Sequence, residues 1–138
     1  MITEHKKYTV EIEKTYTASR KRIRGLFKDK TILKFTGADK IDGEFKTGSE
    51  FKLSFKGRGK IIVHVIYFVK GRICLLWNVK GFNLPEEYSS VYIYLEKKGK
   101  KCLLTLIHED ILLEESAKLK DKAWTEILED LDKELKKV

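Results

Sequence analysis

Residues 112–138 read LLEESAKLKDKAWTEILEDLDKELKKV, and the fold turns on what this stretch lies against. Leu112, Ser116, Leu119, Ala123, Ile127, Leu131 and Leu135 recur every three or four residues, and Trp124 and Leu128 widen the stripe. That is the period of one helix face, held for about seven turns. No Gly or Pro interrupts it. Glu114 and Glu115 lead and Lys136 and Lys137 close, the order that the helix dipole favours. Such a helix spans about 40 Å at 1.5 Å per residue and needs an apolar trough of matching length. A coiled-coil tail is the alternative. Ser116 and Ala123 in the seam, and a run of under four heptads, weigh against it.

The chain before this stretch reads almost entirely as strands. Residues 7–17, KYTVEIEKTYT, alternate Val10, Ile12 and Tyr16 against Glu11, Glu13 and Thr15. Ser19 can cap a helix over Arg20 to Lys28 with Ile23, Leu26 and Phe27 buried, and Asp29 to Phe35 suggests a second short helix ending at Gly37. Strands then follow quickly: Ile41 to Lys46 and Ser49 to Lys56 about Thr47-Gly48, Lys60 to Val69, Arg72 to Lys80, Tyr88 to Glu96 and Lys101 to His108. Gly81 to Glu87, which carries the only proline, reads as a loop. Short hairpin turns imply an antiparallel meander. The expected architecture is α+β: a curved antiparallel sheet of six to seven strands wrapped around the terminal helix, with two short helices after the first strand. All 138 residues form one domain on this reading.

That element order resembles the helix-grip fold of the START-related and birch-pollen-allergen-like (SRPBCC) superfamily. The local sequence resembles one branch of it. TYTAS at 15–19, KFTGADKIDGEFKTGSEFKLSF at 34–55, RICLLWNVKG at 72–81, LLTLIHED at 103–110 and the helix with Trp124 look like the activator of heat-shock protein 90 ATPase homologue-like domains. The similarity runs over essentially the whole chain, and matches the C-terminal domain of the two-domain co-chaperone. The separate domain that makes the principal chaperone contacts there has no counterpart in these 138 residues. The resemblance implies a helix-grip fold, and it implies chaperone ATPase stimulation as one role.

A sheet that grips a helix turns one parity of each strand inward. Placing Trp77 and Val91 inward brings with them Leu75, Ile93, Leu104, Leu106 and His108, and Phe51, Leu53 and Phe55 on the earlier hairpin. The helix adds Leu119, Ala123 and Ile127. These residues are the expected lining of a cavity for a small apolar ligand. The opposite parity, with Ile62, Ile66, Phe68, Leu76, Tyr92, Tyr94, Leu103 and Ile107, is apolar where an open sheet face is ordinarily polar. A homodimer is the simplest cover for it.

Net charge is +8, and all of it lies in residues 1–60, where 16 Lys and Arg face 8 acids; residues 61–138 hold 13 of each. Arg20, Arg22 and Arg24, in SRKRIRGLFKDK at 19–30, are the expected contacts for an acidic partner such as a chaperone surface. On that reading, reversing Arg22 and Arg24 would leave the fold intact. Ile23, Leu26 and Phe27 must dock this helix, and no nucleic-acid-binding module is visible, so nucleic acid is not the expected partner. A solvated lysine-rich surface is the plainer account of the same charges.

Catalytic chemistry is sparse. His108, beside Glu109 and Asp110, could act as a base or a ligand handle, although a lone strand-end histidine is more often structural. Tyr16 and Tyr67 could donate to a bound carbonyl, which keeps a cyclase- or hydratase-type enzyme as the alternative to a binding domain. His64 falls outward and His5 lies near the chain start, so no metal triad forms, and no cofactor motif appears. Cys74 and Cys102 point to opposite faces and read as reduced thiols. No apolar run reaches membrane-spanning length, and the first residues lack a signal-peptide pattern, so the expectation is a cytoplasmic protein.

Overall fold

A computed structural model describes residues 7–137. His5, named above, lies outside them. Strand β1 (Tyr8–Tyr16) leads into α1 (Arg20–Lys28) and the single turn α2 (Thr31–Lys34). Ser19 caps α1, its side chain accepting from the Arg22 amide at 3.1 Å. Strands β2 (Lys40–Gly43), β3 (Glu50–Phe55), β4 (Gly59–Val69), β5 (Arg72–Gly81), β6 (Leu84–Lys98) and β7 (Lys101–Ile111) follow, then helix α3 (Glu114–Leu135). Every strand pairing is antiparallel, in the order β1-β7-β6-β5-β4-β3-β2. This is the helix-grip fold: one seven-stranded sheet with the long helix on its inner face.

The inward parity is the expected one on β3, β5, β6 and β7, where alternate residues from Leu53 to Leu106 are almost wholly removed from water. Each such Leu or Ile contributes about 1.5–3 kcal/mol by burial. Tyr16 ties β1 to the helix, donating from its buried hydroxyl to the Leu128 carbonyl at 2.9 Å. One end of the grip is filled solid. Phe45, from the loop between β2 and β3, stacks on Phe51 at 5.2 Å and meets Phe27 and Phe68 at 5.7 and 5.2 Å between ring centroids.

Four local expectations are corrected. A bulge at Ile66 shifts the β4 register between Val65 and Tyr67, so Phe68 pairs with Ile73 and turns inward while Tyr67 turns outward. One extra residue in a strand inverts every side chain beyond it. Residues 81–87 form a tight turn and the start of β6, not a loop: Phe82 and Asn83 both take positive φ (60° and 57°), as a two-residue hairpin turn demands. Pro85 fits because Pro85 and Glu86 together oppose Lys80 in a bulge, where a missing N–H breaks little of the ladder. The first hairpin pairs only Lys40–Gly43 with Phe51–Ser54, leaving 44–49 as a longer connection. Finally, α3 is 22 residues long and begins at Glu114, so Leu112 and Leu113 stand exposed before it.

Cys74 and Cys102 are free thiols on β5 and β7, with β6 between them. Two strand spacings, about 9.6 Å, exceed disulfide reach.

Candidate functional site

Helix α3 lies closest to β1 and β7. The other half of the inner face, from β3 to β5, is therefore left partly uncovered. There a half-open cavity of about 540 Å³ separates the helix from the sheet. Its floor is Trp77, Val79, Ile61 and Phe55 from the sheet, with Phe82 at the β5–β6 turn. Its far wall is Trp124, Ile127, Ala123 and Leu119 from the helix. Arg58 and Lys122 stand at the rim, the Arg58 guanidinium 5.7 Å from the centre of the Phe82 ring.

Gly59 makes the floor possible. A Cβ there would lie 2.4 Å from the Lys80 carbonyl and 2.7 Å from the Phe82 ring, so only glycine lets the β5–β6 turn close over β4.

Five of the expected lining residues (Phe55, Trp77, Leu119, Ala123 and Ile127) stand on this cavity. Phe51, Leu53, Leu75, Val91, Ile93, Leu104 and Leu106 do not; they are packed into the solid core, each 2% exposed or less. Leu128, Leu131 and Leu135 of the helix belong to the same core, and Phe45 fills the end beside Phe51. Leu119 is also placed differently from its periodicity. It is 54% exposed at the cavity mouth. The position it was expected to take in the buried seam, one turn from both Ser116 and Trp124, belongs to Lys120.

Lys120 is largely withdrawn from solvent because an acid meets it. Its Nζ lies 2.7 Å from Glu87 Oε1, with the two side chains 12% and 7% exposed. Ser116 Oγ donates to the same carboxylate oxygen at 3.0 Å and accepts from Lys120 Nζ at 2.7 Å. The other carboxylate oxygen accepts from the Leu112 amide at 3.3 Å, at the start of α3. Glu87 thus supplies the negative charge that a helix N-terminus favours and that the side chain of Leu113, the capping residue, cannot offer. Ser116 and Lys120 face the cavity and are its inner polar handle. Reading residues 81–87 as a loop hides Glu87. Extending the strand back from Val91 by its own parity puts Ser89 and Glu87 inward.

His108 lies below, with no exposed surface. Trp124 Nε1 donates to its Nδ1 at 3.0 Å, and its Nε2 is 2.6 Å from Ser89 Oγ. An indole N–H can only donate, so Nδ1 is the acceptor and the ring proton sits on Nε2, directed at Ser89. Burial, with Lys120 nearby, pulls the His108 pKa down to about 3. The imidazole is neutral, both nitrogens are engaged, and Trp77 and Trp124 meet it edge-on at 5.9 and 6.3 Å between centroids while tilting against each other at 5.3 Å. It braces the cavity floor and offers no free nitrogen to a ligand. Tyr16 is committed to Leu128, and burial, with Asp132 nearby, raises its pKa. Tyr67 points to the other side of the sheet.

The arginine cluster does not form a free surface. Arg22 closes the far end of α3, donating to the carbonyls of Leu135, Glu134 and Lys137 at 2.7, 3.4 and 3.3 Å. Arg24 lies over the Phe68 ring at 4.9 Å. Arg20 is half-buried beside the Cys102 and Gly71 region. These contacts give Arg22 and Arg24 a part in holding the fold, and they speak against the expectation that the two can be reversed without cost to it. Among the described residues no three His, Cys, Asp or Glu side chains could jointly hold a metal ion, and no helix is long and apolar enough to cross a membrane.

No family model matches the chain, and no curated protein is similar to it in sequence. Solved structures are similar in fold. The Mll3558 protein from Rhizobium loti superposes with a TM-score of 0.78 at 22% identity, covering 96% of this chain and 100% of that one. The Aha1 dimer from Colwellia psychrerythraea gives 0.74 at 20% identity, covering 93% and 96%. CalU16 from Micromonospora echinospora gives 0.72 at 16% identity, covering 97% and 87%.

Proposed function

We propose that this domain is a non-enzymatic binder of small apolar molecules, holding them between the sheet and α3 in the manner of helix-grip proteins. The observation that carries the reading is the composition of the cavity. It combines about 540 Å³ of space, walls of Trp, Phe and aliphatic side chains, and one inner polar handle at Ser116 and Lys120. Apolar walls with a few convergent polar groups are what small-molecule sites have in common. The ligand this favours has a ring or chain body and one oxygen-bearing end that accepts from Lys120.

An enzyme of the cyclase or hydratase type would need an acid or base free to meet substrate. His108 and Tyr16, the best candidates by sequence, are both spent on internal hydrogen bonds, which favours binding over catalysis. The test is capture. Protein incubated with a panel of fatty acids and polycyclic aromatics and then analysed by native mass spectrometry should retain members with one polar end. Retention of none, at ligand concentrations near solubility, would remove the reading.

A second role rests on the sequence resemblance to the activator of heat-shock protein 90 ATPase homologue-like domains and on the similarity in fold to the Colwellia Aha1 structure. In this reading the domain stimulates a chaperone ATPase. Turnover measured with and without saturating protein decides it, and an unchanged rate would exclude the role.

A further inference from the structure

The cavity holds its charges in two different states. Inside, the Lys120 ammonium is neutralised by Glu87 at 2.7 Å, with both side chains largely shut from solvent. Of its three N–H donors, one serves Glu87 and one Ser116, which leaves the third for the cavity. An anion placed there would lie against the Glu87 carboxylate with little water between them, a costly arrangement. The inner end therefore suits an uncharged oxygen, a hydroxyl or a carbonyl.

The mouth is the reverse. Besides Lys120, the charged side chains lining the cavity are Arg58, Lys122 and Glu126. Lys122 and Glu126 stand one turn apart on α3 and balance each other in net charge. Arg58, on the turn between β3 and β4, makes no salt bridge among the described residues. Asp39, beside the same turn, accepts instead from the Lys56 amide at 2.5 Å. The backbone that carries Arg58 is fixed: its amide donates to the Phe55 carbonyl at 2.9 Å, and its carbonyl accepts from the Phe82 amide at 2.8 Å. Phe82 itself holds φ 60°, a conformation that bulky side chains rarely adopt and that Asn or Gly would take more readily. Turn geometry does not ask for a ring here. The ring packs on Phe55 at 5.3 Å and seats the Arg58 guanidinium at 5.7 Å, at the edge of the cavity. A guanidinium laid on an aromatic face keeps its N–H fork free for a planar acceptor.

Resting on the binding role proposed above, we infer that the ligand is an organic acid with a polar group at each end. Its uncharged oxygen lies inside on Lys120, its apolar body between Trp77 and Trp124, and its carboxylate at the mouth on Arg58. Two parallel N–H donors match a carboxylate, and at the mouth that charge keeps part of its water.

Trp77 and Trp124 are the only tryptophans in the chain and both stand on the cavity, so their emission reports its occupancy. Titration of the full chain at neutral pH and low salt compares ω-hydroxydecanoate with α,ω-decanediol, which differ only at the end assigned to Arg58. Both should bind. Arg58→Gln should weaken the acid about tenfold and leave the diol within about twofold. Arg58→Lys keeps the charge and loses the fork, so the acid should bind it with intermediate affinity. Added salt should weaken the acid and not the diol. Lys56→Gln removes a neighbouring charge that does not line the cavity, and should change neither. If neither ligand alters the emission, the binding role falls and this inference with it. If both bind and Arg58→Gln spares the acid, or weakens acid and diol alike, the binding role stands and the carboxylate site is overturned. An equal loss of acid binding in Lys56→Gln overturns contact at Arg58 in favour of a diffuse positive field.

Discussion

Trp124 donates its indole proton to His108 Nδ1 at 3.0 Å, joining the terminal helix to the last strand through two fully committed side chains. The contact fixes the histidine tautomer, seats Ser89 on the other nitrogen and holds Trp77 of the cavity floor against Trp124 of its helix wall. It also makes stability depend on acid.

His108 titrates near 3 in the folded chain and near its ordinary value of 6.5 when unfolded. The unfolded state therefore binds the proton first as pH falls. The contribution of the neutral imidazole is whole above pH of about 6.5 and is lost progressively toward pH 3, at about 1.4 kcal/mol per pH unit while the two states differ by a full proton. Urea midpoints measured between pH 7 and pH 4 should fall accordingly. His108→Gln should flatten that part of the profile while lowering stability at pH 7; a profile as steep as the parent's would refute the assignment.

Trp124→Phe keeps an aromatic ring in place but removes the donor and part of the indole's volume. It should cost about 1–3 kcal/mol, the penalty for leaving a buried acceptor unpaired, read as a shift in urea midpoint with little change in slope.

Glu87 and Lys120 stabilise each other out of reach of most solvent. Removing one partner strands the other. Glu87→Ala should destabilise by about 3–5 kcal/mol, whereas the double replacement Glu87→Leu/Lys120→Met should recover most of that loss, because paired burial is close to neutral against a well-packed apolar pair. Denaturant titrations of Glu87→Leu, Lys120→Met and the double give the coupling directly.

Arg22 bonds the last carbonyls of α3. Arg22→Glu puts a negative charge at the negative end of a helix dipole and should cost about 1–2 kcal/mol, more at low salt than at high. The lowered melting temperature is the expected readout, and an unchanged one would return this side chain to the free surface.

Ala123 is exposed at the cavity mouth, so a larger side chain there has room to lean inward. Ala123→Trp should leave stability within about 0.5 kcal/mol and abolish capture of the apolar probe. Undiminished capture would place the binding site elsewhere.

The fold was legible in the sequence because its signals are local and periodic. A seven-turn apolar stripe without Gly or Pro, and strands alternating about Trp77, Val91 and Leu104, follow from the 3.6 and 2.0 residue repeats of the backbone. The cavity was legible only in part. Phe55 and Trp77 follow from parity, but so do Leu53, Leu104 and Leu106, and the same pattern marks core and cavity alike. What separates them is where the helix lies across the sheet, a property of the packed whole.

Sequence alone determined the order of elements, the inward parity of most strands and the apolar outer face. Tertiary structure decided the rest. The bulge at Ile66 inverts Tyr67 and Phe68, and a strand begins at Leu84 through a proline. Lys120 takes a buried turn that hydrophobicity would assign to Leu119, because Glu87, distant in sequence, neutralises it. Arg22 serves a helix end 113 residues away. Each depends on a partner brought close only by folding, and the free energy of burying a charge or a polar group is set by that partner and not by the residue itself.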